Sequence, residues 1–214
     1  MTSPIPQIDL SPFHQGTDEV KRSVASQIGE ACRKIGFFTL IGHGVPLELI
    51  EAVFMRNKEF HQLPLEEKEK ILISRSDHHR GYHPFSAEAT DPNAKPDLKE
   101  AFDMALELSS DDPDVKAGKP FHGPNVWPKN PPHFRKTLEE YYQHLLLLGD
   151  QICRCFALDL CLDEDYFVDK HSKPLAQLRL LHYPEVDMLY YPDQQGAGAH
   201  TDYGSVALLA QDLI

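Results

Sequence analysis

The feature that most constrains the fold is one long apolar stripe followed by a change of pattern. Apolar side chains recur in steps of three and four from about Pro132 to Leu160, which predicts a long amphipathic helix. From about residue 175 the chain changes to short apolar runs interrupted by Gly and Pro, a pattern typical of strands. Helical segments therefore come first and strands last, and this order favours an α+β fold.

Shorter segments before the long helix also carry clear patterns. Residues 5–10 and 37–41 predict strands, and the mainly apolar character of the second predicts that it is buried. Asp18–Ile35 carries a helical stripe, and the Glu- and Lys-rich residues 64–70 predict a short, solvated helix. Residues 98–108 favour a strand over a helix.

We expect three regions along the chain. Residues 1–110 form an N-terminal α/β region, and residues 111–174 form a proline-rich, irregular wrap that leads into the long helix. Residues 175–214 contain the start of a β core.

Charge and cysteine usage exclude several classes of partner. The net charge of −12 over 214 residues argues against a nucleic-acid surface and against binding to an anionic membrane. The sequence shows neither a membrane-spanning apolar segment nor a secretory signal pattern. The four cysteines are expected to be free thiols in a reducing compartment. We therefore predict a cytoplasmic protein without nucleic-acid or membrane partners.

The candidate metal site is the pair His200 and Asp202. In a strand, residues two apart point the same way, about 6.6 Å from each other, so an imidazole and a carboxylate reach one metal ion from one side. Two histidines and one carboxylate form the triad of non-haem Fe(II) oxygenases. Gly196 and Gly198 allow close backbone approach before the pair, and residues 205–210 predict a strand after it. The spacing alone also fits a surface histidine beside a turn aspartate.

Four blocks of sequence lie in a fixed order along nearly the whole chain: residues 36–38 with 43–45, residues 117–128, residues 178–184, and residues 198–204 with 208–212. Together they closely resemble conserved blocks of the Fe(II)/2-oxoglutarate-dependent dioxygenases, in the isopenicillin N synthase-like branch. The resemblance implies a double-stranded β-helix, or jelly-roll, core behind an N-terminal helical region. It also implies Fe(II), 2-oxoglutarate and O₂ as cofactor and co-substrates.

The resemblance assigns roles to individual residues. His200 and Asp202 match two of the three metal ligands. Tyr183 matches a tyrosine that holds the 2-oxoglutarate carboxylate, or a substrate carboxylate in the oxidases that do not use 2-oxoglutarate. The implied reaction decarboxylates 2-oxoglutarate while a small molecule is hydroxylated, desaturated or closed into a ring. The complete protein is expected to be a monomer.

Three departures from the family pattern qualify these expectations. The family has a further histidine ligand and an Arg-x-Ser pair some tens of residues beyond the His-x-Asp, and neither occurs in these 214 residues. Leu181 stands where many plant members carry asparagine. We therefore expect an incomplete roll and an inactive chain when it is isolated. The alternative is a truncated, non-catalytic homologue, and a metal hydrolase is a weaker alternative because the other blocks do not support it.

Four further side chains are candidate substrate contacts: Arg80, Tyr82, Glu100 and Phe102. Arg80 also fits a turn with an exposed guanidinium, and Glu100 and Phe102 also fit ordinary strand packing. The histidines at positions 78, 79 and 83 predict a solvated loop rather than a second metal site.

Overall fold

The computed structural model describes residues 5–89, 91, 95–187, 189, 191–202 and 204–212. These residues divide into two compact units. Unit 1 consists of the described residues within 1–47, 143–173 and 208–210, and unit 2 of those within 48–142, 174–207 and 211–214. The three-region division drawn from the sequence stays a prediction. Within the described ranges, every helix is too short or too polar to serve as a membrane span.

Unit 1 contains a small parallel sheet, the two helices that connect its strands, and the larger part of the long helix described below. Strand β1 (Gln7–Asp9) pairs with β2 (Thr39–Ile41), and helices α1 (Ser11–Gln15) and α2 (Asp18–Lys34) connect them. The expectation of a buried strand at 37–41 was wrong, because Phe37 is 68% exposed and β2 has no buried residue. With only β1 as its partner in the described chain, β2 stays at the surface.

The long helix α6 spans Phe134–Asp159 and confirms the prediction from the apolar stripe. Its buried positions include Phe134, Leu138, Leu148 and Ile152, in the predicted steps.

Unit 2 is built around a three-stranded antiparallel sheet in the order β3–β4–β5. Around it lie helices α3 and α4, two short 3₁₀ turns, helix α5 and the first part of α6. The bounds of these elements are Leu47–His61 for α3, Leu65–Lys68 for α4, Gly81–His83 for β3, Glu100–Ala105 for β4, Pro113–Lys116 for α5 and Gln177–His182 for β5. The strands at 98–108 and after residue 175 are confirmed.

The register of the sheet separates two chemically different faces. Phe102 on β4 lies opposite Tyr82 on β3 and Leu180 on β5. Side chains alternate along each strand, so these three share one face, which we call the helix-side face because Phe102 contacts Phe60 of α3 and Phe134 of α6. The opposite face, which we call the polar face, carries Asp103 on β4 and its partner on β5, Arg179.

Two further expectations were wrong. Residues 205–210 contain no strand, and Leu209 is 84% exposed. An apolar segment becomes a strand only when its peptide groups pair with a neighbour, and in the described chain none pairs with it. The helix at 64–70 is not fully solvated, because the Lys68 ammonium is buried against Glu100 at 2.7 Å. The α+β class is confirmed, and the jelly roll stays an expectation.

Candidate metal centre

The side chains of His200 and Asp202 lie close together, although residues 200–202 do not form the strand on which the spacing argument relied. Nε2 of His200 lies 3.3 Å from Oδ1 of Asp202. On the other side of the ring, Nδ1 of His200 lies 2.8 Å from the carbonyl oxygen of Gly198. A carbonyl oxygen only accepts, so Nδ1 donates this hydrogen bond and carries the proton. A metal-binding histidine commonly has one ring nitrogen held by a backbone carbonyl in this way, and the other nitrogen, Nε2, faces the Asp202 carboxylate.

The donor set fits Fe(II) as part of a triad. An imidazole nitrogen and a carboxylate oxygen are two of the three ligand types in the non-haem iron triad. The side chains of His200 and Asp202 are 43% and 60% exposed, so both donors are accessible to an ion. In the described part of the chain, no group of three or more His, Cys, Asp or Glu side chains is placed to bind a metal together. His200 and Asp202 therefore offer two donor atoms, and their role as metal ligands stays a prediction.

The segment that carries His200 is fixed against residues 95–98. The N–H of Leu98 donates to the carbonyl of Gln195 at 2.8 Å, and the N–H of Gly198 donates to Oδ1 of Asp97 at 2.8 Å. A Cβ at Gly198 would lie 3.3 Å from both Cβ and N of Asp91, so the approach leaves little room for a side chain. The close approach predicted for this glycine is confirmed.

Tyr183 lies against the same segment. Its ring carbons are 3.0 and 3.1 Å from the position that a Cβ at Gly196 would occupy, so the ring packs on the bare glycine. Tyr183 is half exposed. Tyr183 directly follows the last residue of β5. The structure therefore brings Tyr183 next to the segment that carries the predicted ligands, and its cofactor contact stays a prediction.

A charged cluster on the polar face was missed by the sequence reasoning. Arg179 donates to both oxygens of Asp103 at 2.8 and 2.7 Å, and to both oxygens of Glu88 at 3.0 and 3.3 Å. His83 contacts the same two carboxylates, with Nε2 2.7 Å from Asp103 and Nδ1 3.0 Å from Glu88. We call these four residues the polar-face cluster. The expectation of a solvated loop was wrong for His83, which is buried.

Two pKa values show how strongly the polar-face cluster is coupled. Burial by itself lowers the pKa of His83, but the hydrogen bonds to Asp103 and Glu88 outweigh it and raise the pKa to about 9. The hydrogen bond from His83 lowers the pKa of Glu88 to about 2, against a smaller opposing effect of burial. His83 is therefore a cation and Glu88 an anion at neutral pH.

Glu100, Tyr82 and Phe102, three of the candidate substrate contacts, lie on the helix-side face. The Glu100 carboxylate accepts hydrogen bonds from Lys68 at 2.7 Å and from the Tyr82 hydroxyl, and it lies 2.8 Å from Nδ1 of His182. Burial by itself raises the pKa of Glu100, but these donors together lower it. Phe102 is fully buried among aromatic rings. Their substrate contact stays a prediction, and the structure gives each of them a packing role.

Arg80, the fourth candidate, is also buried. Its guanidinium donates to the carbonyl oxygens of His78, His79 and Phe121, between 2.6 and 3.1 Å. Burial lowers its pKa. These bonds connect the turn before β3 to the loop at Phe121, and the exposed guanidinium allowed for in the sequence reasoning is not observed.

Comparison with known proteins places this chain in a family. Residues 5–130 match the family model described as the non-haem dioxygenase in morphine synthesis N-terminal region. The chain belongs to the Fe(II)/2-oxoglutarate-dependent dioxygenase family. It is 35% identical to the 2-oxoglutarate-Fe(II) type oxidoreductase hxnY of Emericella nidulans, over 97% of the chain and 60% of that protein. It is 37% identical to the 2-oxoglutarate-dependent dioxygenase tropC of Talaromyces stipitatus, over 97% of the chain and 66% of that protein.

Solved structures agree with this dioxygenase assignment. A full-length Neurospora crassa protein in complex with alpha-KG superposes with a TM-score of 0.78 at 30% identity, over 94% of this chain and 62% of that one. A 2OG-Fe(II) oxygenase family protein of Caulobacter crescentus gives 0.70 at 27% identity, over 86% and 58%. The chain thus spans less than two thirds of the length of these relatives. Fe(II) and 2-oxoglutarate are the cofactor and co-substrate of the dioxygenase family.

Proposed function

We propose that the protein containing this chain is a non-haem Fe(II)/2-oxoglutarate-dependent oxygenase that acts on a small molecule. The observation that carries the proposal is the convergence of Nε2 of His200 and Oδ1 of Asp202, which lie 3.3 Å apart while Nδ1 of His200 is held by the Gly198 carbonyl. The names of the relatives support the reagents. The Neurospora crassa protein has been solved with thymine as well as alpha-KG, which supports a small-molecule substrate. In this proposal the β strands described here belong to a jelly roll.

Each proposed site residue has a separate task. His200 and Asp202 bind Fe(II) through one nitrogen and one oxygen, and the Gly198 carbonyl holds the imidazole in the binding tautomer. Tyr183 donates its phenolic proton to a carboxylate of 2-oxoglutarate, with its ring supported by Gly196. Bound Fe(II) supplies the redox chemistry that couples decarboxylation of 2-oxoglutarate to oxidation of the substrate.

The metal assignment is tested with Asp202→Ala in the protein that contains this chain. Asp202 contributes a hard oxygen ligand and a negative charge, so we expect the variant to lose bound Fe(II) and 2-oxoglutarate-dependent succinate release. Asp187→Ala is the matched control, since it removes an exposed carboxylate that lies outside the four family blocks. A variant at position 202 that keeps its iron and its succinate release would contradict the assignment.

The role of Tyr183 is tested with Tyr183→Phe, which keeps the ring and removes the hydroxyl. One hydrogen bond to a charged group contributes about 1.5–3 kcal/mol. The 2-oxoglutarate concentration for half-saturation should therefore rise roughly ten- to a hundredfold, with iron content unchanged. If the titration is unchanged but substrate binding weakens, Tyr183 faces the substrate, as in the oxidases that do not use 2-oxoglutarate.

The non-catalytic alternative makes a different prediction. If the unmodified protein neither binds Fe(II) nor releases succinate with Fe(II), ascorbate and 2-oxoglutarate, the oxygenase proposal fails and the non-catalytic alternative replaces it. Iron-dependent succinate release that requires Asp202 excludes that alternative.

A further inference from the structure

A buried carboxylate lies directly behind the segment that carries the metal ligands. Asp97 is 2% exposed, and its Oδ2 lies 2.7 Å from Nζ of Lys99, which is itself buried. Its Oδ1 accepts a hydrogen bond from the N–H of Gly198 at 2.8 Å. Its own N–H donates to the carbonyl oxygen of Glu88 at 2.8 Å, so both the backbone and the side chain of Asp97 are fixed.

Gly198 connects this carboxylate to the ligand His200. The N–H of Gly198 is held by Asp97, and the C=O of the same residue accepts the proton of His200 Nδ1 at 2.8 Å. The position of Gly198 therefore sets the position and orientation of the imidazole. Asp91 stands close to Gly198 on the side where a Cβ would point, which limits movement in that direction.

We propose that Asp97 is a positioning residue for the metal ligand His200, acting through the backbone of Gly198, with Lys99 holding the carboxylate in place. This inference rests on the proposed function, in which His200 binds Fe(II). It adds to the proposed metal site a residue that is distant in sequence, since Asp97 and Gly198 are 101 positions apart.

The chemistry of the three groups makes the link strong. A carboxylate that accepts from a backbone N–H forms a charge-assisted hydrogen bond, roughly twice as strong as a neutral one. The ammonium of Lys99 offsets the charge of Asp97 in a place with little access to water. Partners behind a ligand fix its orientation, and their loss typically costs about 10- to 100-fold in metal affinity. The same range is expected here.

The test measures metal affinity and backbone protection in Asp97→Ala, Asp97→Asn and Lys99→Met. Mn²⁺ is the probe, since it does not oxidise in air and its binding is followed by electron paramagnetic resonance without turnover. We expect Asp97→Ala to weaken Mn²⁺ binding about 10- to 100-fold. Asp97→Asn keeps a neutral acceptor for Gly198 and should lie between Asp97→Ala and the unmodified protein.

Amide hydrogen exchange at Gly198 in the metal-free protein provides the second readout. The Gly198 amide should exchange faster in Asp97→Ala, because its acceptor is gone. Lys68→Met is the matched control, since it breaks an ion pair of the same 2.7 Å length and similar burial on the helix-side face. The control should leave both Mn²⁺ affinity and Gly198 exchange unchanged. If Asp97→Ala does not fold, the two milder variants carry the same comparison.

Three results would overturn the inference. Unchanged Mn²⁺ affinity in all Asp97 and Lys99 variants overturns it, even if Gly198 exchanges faster. An equal loss of affinity in Lys68→Met shows that general destabilisation is the cause. A His200→Ala variant with unchanged affinity overturns the proposed function as well. If His200→Ala loses the metal while the Asp97 variants keep it, only the positioning role fails.

Discussion

The polar-face cluster predicts an unusual alkaline loss of stability, which the variant His83→Gln isolates. The imidazolium of His83 lies between the carboxylates of Asp103 and Glu88, with its side chain 10% exposed. A neutral His83 leaves these two carboxylates with Arg179 as the remaining cation of the polar-face cluster. Deprotonation is therefore unfavourable in the folded state, and this is why the pKa of His83 is raised to about 9 from 6.5.

The size and sign follow from linkage between protonation and folding. A shift from 6.5 to about 9 corresponds to about 3 kcal/mol at 1.36 kcal/mol per unit. Because the folded-state pKa is raised, this stability is fully present below pH 6.5 and is lost as the pH rises through about 9. Residual solvent contact and salt reduce the figure, so about 2–3 kcal/mol is the expected range. The lowered pKa of Glu88 has its effect in acid. Its contribution to the stability of the folded state is present above pH 4.5 and is lost as the pH falls through about 2.

The assay is urea unfolding followed by the fluorescence of Trp127, the single tryptophan, which contacts Phe102 in the same unit as His83. Between pH 6 and pH 9.5, the free energy of unfolding of the unmodified protein should fall by about 2–3 kcal/mol more than that of His83→Gln. His14→Gln, at an exposed position, should behave like the unmodified protein. If His83→Gln and the unmodified protein lose the same stability over this interval, the coupling deduced from the polar-face cluster is refuted.

Three further substitutions have expected outcomes that can be measured directly. Phe60→Ala removes a fully buried ring from the aromatic cluster of the helix-side face, and urea unfolding should show a loss of about 3–5 kcal/mol. Asn125→Ala removes a side-chain amide that hydrogen-bonds both the N–H and the C=O of Ala105 at the end of β4. The free energy of unfolding should fall by about 1–3 kcal/mol, and a fall below about 0.5 kcal/mol contradicts the role of the amide. Gly196→Ala places a methyl group about 3 Å from the Tyr183 ring, so 2-oxoglutarate binding should weaken while Mn²⁺ affinity changes less than about twofold.

The elements best predicted from the sequence are those whose signal is local. The stripe of α6 repeats over about seven turns, and its period of 3.6 residues gives the helix and its buried side. The strand β4 was also predicted, and its position in the centre of the sheet explains why all six of its residues are buried. Residues 205–210 have the same apolar character, but a strand needs a partner, and sequence pattern alone does not supply one.

The polar-face cluster shows why charged residues were harder to predict than apolar ones. His83, Glu88, Asp103 and Arg179 are spread over almost one hundred positions, and each of them fits an exposed surface when it is considered alone. The antiparallel register places Asp103 opposite Arg179, and burial then requires that each charge find a partner. A charged residue at an alternate position of a predicted strand, between small apolar residues, is a signal for such a cluster. In β4 the residues Ala101, Asp103 and Ala105 form this pattern.

The same reasoning explains how the candidate metal site depends on distant parts of the chain. Glu88 bonds Arg179 of β5 through its side chain, and its carbonyl oxygen accepts the N–H of Asp97. Asp97 in turn holds Gly198, whose carbonyl orients His200. The His-x-Asp spacing therefore identifies the donor atoms, but it contains no information about the groups that hold them. Asp97 lies 101 positions before Gly198, so the geometry of the donor atoms depends on contacts between distant segments of the chain.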